Sequence, residues 1–382
     1  MRKSNLYMNI FILTLAITLI ACKAITGVPV TEDEGAVPSF PTNIPQTDAP
    51  TIPLSPTEDN NPPEVANPEE VCLEGEVYHP ENGFCYRDDG GAEVPFQMMM
   101  EEITDYGDED VAEEDELLEE EFNLVIYTIE GNEIFDPEYE EVSEDFLDEQ
   151  NDTAAHQEIW SFFSAIIPAD SRNFVSKYVV FTDGKDGTLA AVEQIFDDPY
   201  MWMIEIDIAD TEDIKELTFT LIHEFGHLLT LNSEQVEVDE YIFYNMEDDD
   251  AYFEAESNCG TYFTGEGCAK GSSYFYLFFD EFWTEIYDEW LDIEMIEDDD
   301  AYYDASDEFY FSHEDYFVTD YAASNPGEDI AESWAFFVTQ PKPTGNTIAE
   351  KKVLFFYQFP ELVELRGEII ARAYSRLIRM QS

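Results

Sequence analysis

One apolar stretch of nine residues, Leu221–Leu229, constrains this chain more than any other feature. It contains the motif H-E-x-x-H as His223, Glu224 and His227. Residues four apart on an α-helix lie one turn above each other, so the two imidazoles can point at a single ion. Glu224 lies where it can reach a water on the metal. The motif predicts zinc bound by two histidines, with Glu224 as proton acceptor. The alternative is a pair of buried, hydrogen-bonded histidines.

A catalytic zinc site needs a third protein ligand and one position left for water. A third histidine in the pattern H-E-x-x-H-x-x-G-x-x-H is excluded, because Thr230 and Ser233 stand where its Gly and His would be. The other histidines occur in a turn-like module, on a predicted helix and in an acidic loop, at positions 79, 156 and 313. None of them has a second ligand-like neighbour at helical spacing.

A helix predicted downstream offers an acidic ligand instead. Asn325 or Ser324 can cap it, Pro326 suits its first turn, and an apolar stripe follows. Glu328 and Glu332 lie one turn apart on this helix, and burying such a pair is costly without cationic or donor partners. A zinc ion and a ligating imidazole would supply those partners, with Glu328 on the metal and Glu332 on a histidine N–H. The spacing leaves open which of the two acids takes the metal.

Together these motifs resemble the gluzincin metallopeptidases, and most closely the catalytic domain of anthrax lethal factor and its bacterial relatives. Those domains carry H-E-F-G-H, then a Tyr, an Asn and an E-x-x-A-E helix in this relative spacing. The resemblance covers mainly residues 201–231 and 320–338. It implies zinc ligands at His223, His227 and Glu328, with Glu224 as general base. It also implies an oxyanion donor at Tyr321, for which Tyr316 is an alternative, and places Glu332 where the family has its second acid.

The acidic composition limits the partners. The chain has 88 acids and 16 bases, a formal net charge of −72, so nucleic acid is excluded because its phosphates would be repelled. Cations and basic polypeptides would be attracted instead. Hydrophobic residues make up 44%, enough for a substantial core. We therefore expect a folded monomer that acts on a protein or peptide.

The N-terminus predicts export. Arg2 and Lys3 precede an apolar run that ends Leu19-Ile20-Ala21-Cys22, which resembles a bacterial lipobox. The resemblance implies that residues 1–21 are a signal peptide and that the Cys22 thiol carries a lipid. The protein is then held at a membrane of the bacterial cell envelope, facing outside the cytoplasm. An ordinary secretory signal, or an uncleaved anchor, is the alternative.

Two further regions precede the predicted catalytic domain. Residues 22–70 are a Pro-rich linker. Residues 71–121 combine a small module with an acidic segment. An oxidising compartment favours a Cys72–Cys85 disulfide in the module. Thirteen acids and no base from 101 to 121 predict a solvated, mobile segment.

Residues 122–382 predict an α+β fold: a zincin-like metallopeptidase domain with a small mixed sheet, an active-site helix and a mainly helical C-terminal half. Strands are expected at residues 123–129, 178–181, 189–196 and 201–208, and a helix at 153–166. Substrate in this family adds as a strand along an exposed sheet edge, and residues 189–196 are the candidate edge.

The region from 232 to 319 reads as an acidic insertion. Its near-duplicates Glu247–Tyr252 and Glu297–Tyr302 could bind Ca²⁺, but they lack the spaced acids and Gly of a calcium loop, so solvated surface is favoured. Cys259 and Cys268 predict a second disulfide.

The sequence therefore predicts a lipid-anchored, extracytoplasmic, zinc-dependent metallopeptidase that hydrolyses peptide bonds. Two alternatives stay open. One is a catalytically inactive zincin-fold protein that binds at the cell surface. The other is an acidic cation-binding envelope protein in which the motif is accidental.

Overall fold

The computed structural model describes residues 76–79, 84–87, 92–100 and 117–380, except residues 186, 247, 266 and 297. The predicted signal peptide, the lipidation site Cys22, the linker of residues 22–70 and Cys72 lie outside the described residues. The predicted Cys72–Cys85 bridge therefore lies outside them too. Within the described ranges, every helix falls short of the length and apolarity needed to cross a membrane.

The first described elements are a two-stranded hairpin and a short helix. Strands β1 (Glu76–His79) and β2 (Phe84–Arg87) pair antiparallel, in the region predicted to be a looped module. Helix α1 (Glu93–Met100), which was not predicted, buries its apolar face in the core of the C-terminal domain, and Glu93 pairs with Arg366 at 2.7 Å. The core built by residues 122–382 therefore also includes residues of this helix.

A five-stranded mixed sheet forms the β layer. Its strands are β3 (Leu117–Glu130), β4 (Glu133–Tyr139), β5 (Val175–Gly184), β6 (Ala190–Ile195) and β7 (Asp198–Asp207), in the order β4-β3-β5-β7-β6. Strands β5 and β7 are parallel, and all other neighbours are antiparallel. All four predicted strands are present, and β6 lies at an edge as predicted.

Two features of the sheet differ from expectation. Strand β3 begins at Leu117, so the end of the predicted mobile segment of residues 101–121 is paired strand. Strand β4 was missed because it is an exposed edge strand that contains Pro137 and three acids. Edge strands tolerate proline and charge, which hide the usual strand pattern.

The remaining elements make the C-terminal half mainly helical and confirm a mixed α+β fold. Two helices, α2 (Leu147–Asn151) and α3 (Thr153–Ile166), lie between β4 and β5 in the chain, and α3 has its predicted bounds. After the sheet come α4 (Ile214–Leu231), β8 (Val236–Val238), α5 (Glu240–Tyr244), α6 (Asp249–Asn258), β9 (Gly267–Ala269), α7 (Tyr274–Phe282), α8 (Tyr287–Glu294), α9 (Asp299–Ser312), α10 (Pro326–Thr339), α11 (Ile348–Phe355) and α12 (Pro360–Met380).

The acidic near-duplicates in the insertion are helix starts. Asp248 accepts a hydrogen bond from the Ala251 N–H, and Asp298 accepts one from the Ala301 N–H, so the two repeats begin α6 and α9. Acids in a first turn also complement the positive end of the helix dipole. Between these helices, Cys259 and Cys268 are joined by a disulfide with Cα atoms 5.6 Å apart, as predicted.

Candidate metal centre

The predicted metal helix is α4. Asp213 caps it by accepting hydrogen bonds from the backbone N–H groups of Lys215, at 2.8 Å, and Glu216, at 3.2 Å. In the middle of the helix, Gly226 faces α10, and a Cβ placed there would lie 3.0 Å from the Cα of Ala331. The glycine inside the H-E-F-G-H motif therefore allows close contact between the two helices that carry the candidate ligands.

Three ligand atoms from α4 and α10 converge. His223 Nε2 lies 3.1 Å from His227 Nε2 and 3.1 Å from Glu328 Oε2, and His227 Nε2 lies 3.2 Å from the same oxygen. Zinc–ligand bonds of about 2.0–2.1 Å at about 109° would put any two ligands about 3.3–3.4 Å apart. The triangle thus fits one face of a zinc coordination tetrahedron to within a few tenths of an ångström, and these residues could hold a metal ion.

A buried chain of hydrogen bonds fixes the first imidazole. His223 Nδ1 lies 2.7 Å from Glu332 Oε1, and the Thr319 hydroxyl donates to Glu332 Oε2 at 2.7 Å. The backbone N–H of Ala322 donates in turn to the Thr319 oxygen. With Nδ1–H donating to the carboxylate, the neutral ring presents its Nε2 lone pair to the metal position. The structure therefore brings Glu328 to the converging nitrogens and Glu332 to the back of His223.

The cap of α10 sets the position of Glu328. The Asn325 side chain accepts hydrogen bonds from the N–H groups of Gly327, at 2.8 Å, and Glu328, at 3.0 Å, and Pro326 occupies the first turn, as predicted. Burial raises the pKa of the Glu328 carboxyl, but the attraction of His227 and His223 outweighs burial and holds this pKa well below its usual range. Glu328 is therefore anionic at neutral pH, as a carboxylate ligand must be.

The electrostatics of His223 suit a site that exchanges a proton for a cation. Burial lowers the pKa of its imidazole, but hydrogen bonds to Glu328 and Glu332 outweigh burial and raise this pKa above its ordinary value. A metal ion entering the site competes with that proton.

Glu224 and Tyr321 flank the ligands. Glu224 is only 7% exposed, and burial raises its pKa to about 7, with His223 and His227 opposing the shift. The Tyr321 ring lies 5.9 Å from the His223 ring and is half exposed. Burial on its hydroxyl side, together with Glu328 and Glu224, raises the pKa of Tyr321, so it stays protonated. Tyr316 instead contacts His313 and Phe317.

Of the other histidines, the two whose side chains the structure describes contact groups away from this site. His156 is buried, with Nδ1 2.9 Å from the Tyr127 hydroxyl and Nε2 2.9 Å from the Glu149 carbonyl oxygen. His313 lies 3.7 Å from Glu289 on α8. His79 lies on β1, and its side chain is outside the part of the chain that the structure describes.

A second group of acids lies at the C-terminal ends of β5 and β7. Asp183, Asp207 and Asp210 come close enough to share an ion. Backbone N–H groups donate to them, including those of Ala209 and Asp183 to Asp207, and burial raises the pKa of Asp207 to about 7. The Asp183 bond ties the end of β5 to the end of β7. Among the described residues, neither group that could hold a metal includes the acidic near-duplicates.

Edge strand β6 lies beside the metal helix. It pairs with β7 on one side, and among the described residues no strand pairs with its other side. Helix α4 packs next to it. This edge of the sheet could therefore pair with an extended peptide beside the helix that carries His223 and His227.

Comparison of the chain with known protein families, with curated proteins and with solved structures finds no match in any of the three. The likeness to gluzincins thus depends on the residues quoted above and on their geometry.

Sequence reasoning missed several residues that build this centre. No local sequence pattern indicated the role of Thr319, which bonds to Glu332. None indicated the role of Gly226, which lets α4 and α10 pack closely. Trp283 and Trp290 belong to an aromatic stripe whose helical spacing predicts only core packing. Both are buried, Trp283 directly after α7 and Trp290 within α8, and each donates a hydrogen bond toward α10.

Proposed function

We propose that this protein is a zinc-dependent metallopeptidase of the gluzincin type, built on a zincin-like α+β domain. The observation that carries the proposal is the convergence of His223 Nε2, His227 Nε2 and Glu328 Oε2 within 3.2 Å of one another. Two neutral nitrogens and one anionic oxygen are a donor set that zinc takes in catalytic sites, leaving a fourth position open.

Zinc held there would supply a Lewis acid that polarises a carbonyl and lowers the pKa of water toward 7. Glu224 is the general base, because it is buried beside the ligands and its pKa of about 7 suits a group that both takes and returns a proton. It accepts a proton from the attacking water and then gives it to the leaving amine. A bound cation lowers the pKa of Glu224 and keeps it ready as a base.

Tyr321 and β6 supply the remaining functions. The Tyr321 hydroxyl stays protonated and lies toward Glu328 and Glu224, so it can donate a hydrogen bond to the developing oxyanion. Strand β6 is an edge of the sheet, to which an extended peptide can add as a further strand. The charge of −72 favours substrates with basic residues.

We propose a cellular location together with this activity. A lipid on Cys22 would hold the enzyme at the bacterial envelope, outside the cytoplasm, with residues 22–70 as the spacer. The disulfide between Cys259 and Cys268 supports an oxidising compartment. We propose a monomer.

Replacement of Glu224 by Gln tests the proposal, because it removes the base while keeping the shape of the side chain. We expect hydrolysis of a denatured protein to fall by at least about 100-fold, the scale of general base catalysis. Zinc content by elemental analysis should stay unchanged, because Glu224 is not a ligand. Unchanged hydrolysis would remove Glu224 from the mechanism. Stoichiometric zinc without hydrolysis in the wild-type protein would favour an inactive surface binding protein.

A further inference from the structure

The acidic insertion of residues 232–319 contacts α10 on both sides of Glu328. Before the helix, the Trp290 indole N–H donates to the Ser324 carbonyl oxygen at 2.7 Å, next to the capping Asn325. After the ligand, the Trp283 indole N–H donates to Asp329 Oδ2 at 2.7 Å. One turn further on, Thr319 donates to Glu332. Two hydrogen bonds from the insertion therefore flank Glu328, and a third reaches Glu332, the acid behind His223.

A buried ion pair strengthens the middle contact. Lys352 on α11 and Asp329 are both fully buried, and Lys352 Nζ lies 2.5 Å from Asp329 Oδ2. The same ammonium lies 4.1 Å from the centre of the Phe317 ring, which also belongs to the insertion. Burying two charges is costly, and the geometry must be kept for the pair to offset that cost. Asp329 is thus held by two elements at once, and it is the residue bonded directly to Glu328.

These contacts affect where the Glu328 carboxylate lies. A glutamate side chain has several rotatable bonds, so its carboxylate meets two imidazoles only if its backbone is fixed. The backbone of Glu328 is held by the Asn325 cap before it and by Asp329 after it. The Trp290 bond holds the turn that presents the cap, and the Trp283 bond holds Asp329.

We infer that the acidic insertion is a positioning element of the metal centre, in which Trp283 and Trp290 orient Glu328 toward His223 and His227. The inference rests on the proposed function, since it assumes that these three residues hold zinc. Neither tryptophan touches the ligands, so both are positioning residues. The insertion is then required for metal affinity and is not a separable surface addition.

The test compares Trp283→Phe and Trp290→Phe with a matched control, Trp160→Phe. Trp160 is also buried, and its indole N–H also donates to a backbone carbonyl at 2.8 Å, that of Asn132 in the turn between β3 and β4. All three variants lose one hydrogen bond and keep an aromatic ring. All three should therefore shift the urea midpoint of the metal-free protein to lower concentration.

Zinc affinity separates positioning from simple packing. Measured by competition with a chelator in the full chain, it should fall about 10-fold or more in Trp283→Phe and Trp290→Phe, the scale found for groups that orient ligands, and stay at the wild-type value in Trp160→Phe. The visible spectrum of the cobalt-substituted protein should change in the same two variants. Wild-type zinc affinity and cobalt spectra in both would overturn the inference.

Two further outcomes are distinguishable. If a tryptophan variant does not fold, Thr319→Val replaces it, because it removes the insertion's third hydrogen bond with little change of volume. The same loss of zinc affinity is expected, and an unchanged value would contradict the inference. A wild-type protein that binds no zinc, by contrast, would contradict the proposed function itself.

Discussion

Helices α9 and α10 have the same length, 14 residues, and both contain several acids, yet those acids have opposite environments. On α9, Asp304, Asp307 and Glu308 are exposed to solvent. On α10, Glu328 meets two histidines, Asp329 meets Lys352, and Glu332 meets His223. An exposed carboxylate is stabilised by water, whereas a buried one needs a donor or a cation. In a chain of such acidity, the partner rather than the residue type identifies the functional acids.

The largest effect is expected at the metal ligand itself. Glu328→Ala removes one of three donors, so zinc affinity should fall by more than about 100-fold and peptide hydrolysis should be lost. Elemental analysis of the purified variant measures this directly. Asp307→Ala, the same truncation of an exposed acid on α9, should keep the wild-type zinc content. Full zinc content in Glu328→Ala would contradict the ligand assignment.

The buried ion pair should dominate stability. Asp329→Asn keeps an acceptor for Trp283 but leaves the Lys352 charge buried without its counter-ion, so the free energy of unfolding should fall by about 3–5 kcal/mol. Urea unfolding of the metal-free protein gives this value. Asp304→Asn on α9 should change it by no more than about 0.5 kcal/mol.

A double variant sharpens this result. Asp329→Asn combined with Lys352→Met removes both charges, and most of the lost stability should return. If the double variant is as unstable as Asp329→Asn alone, the loss comes from packing and not from the unpaired charge.

A smaller effect is expected at Glu332. Glu332→Gln keeps the shape but replaces the anionic acceptor of the His223 Nδ1–H, so zinc affinity should fall about 10- to 100-fold while zinc still binds at saturating concentration. Chelator competition measures the change. A complete loss of zinc sites would instead make Glu332 a ligand, and this would reverse the roles given to the two acids.

The smallest effect is expected at a surface cap. Asp298→Ala removes the side chain that accepts the Ala301 N–H at the start of α9, and should lower the free energy of unfolding by about 1 kcal/mol. Zinc affinity should be unchanged. A Ca²⁺ titration that loses a binding site in this variant would show that the acidic repeat holds a cation as well as capping a helix.

Local patterns in the sequence predicted the parts of the centre that are themselves local. The spacing of His223 and His227 needs only a helix, and Asn325-Pro326 carries its own capping chemistry. The start of α10 followed from similar signals, whereas the edge position of β6 was expected from the family resemblance. The resemblance to a known family was needed to favour Glu328 over Glu332 as the metal ligand. The distances then place Glu328 at His223 Nε2 and Glu332 at His223 Nδ1.

What the sequence did not predict depends on contacts between distant segments. Nothing near Thr319 shows that its hydroxyl meets Glu332, and the aromatic stripe around Trp283 has the spacing of an ordinary core helix. Helix α1 was missed because a short apolar run shows its partner only when the tertiary fold is known. Strand β4 was missed because an exposed edge tolerates acids and proline.

X-ray absorption at the zinc edge of the purified wild-type protein tests the central claim most directly. The account predicts one zinc per chain, bound by two imidazole nitrogens and by carboxylate or water oxygens at about 2.0–2.2 Å, with no sulfur ligand. A protein without stoichiometric zinc, or a zinc whose nearest shell contains fewer than two histidines, would contradict it.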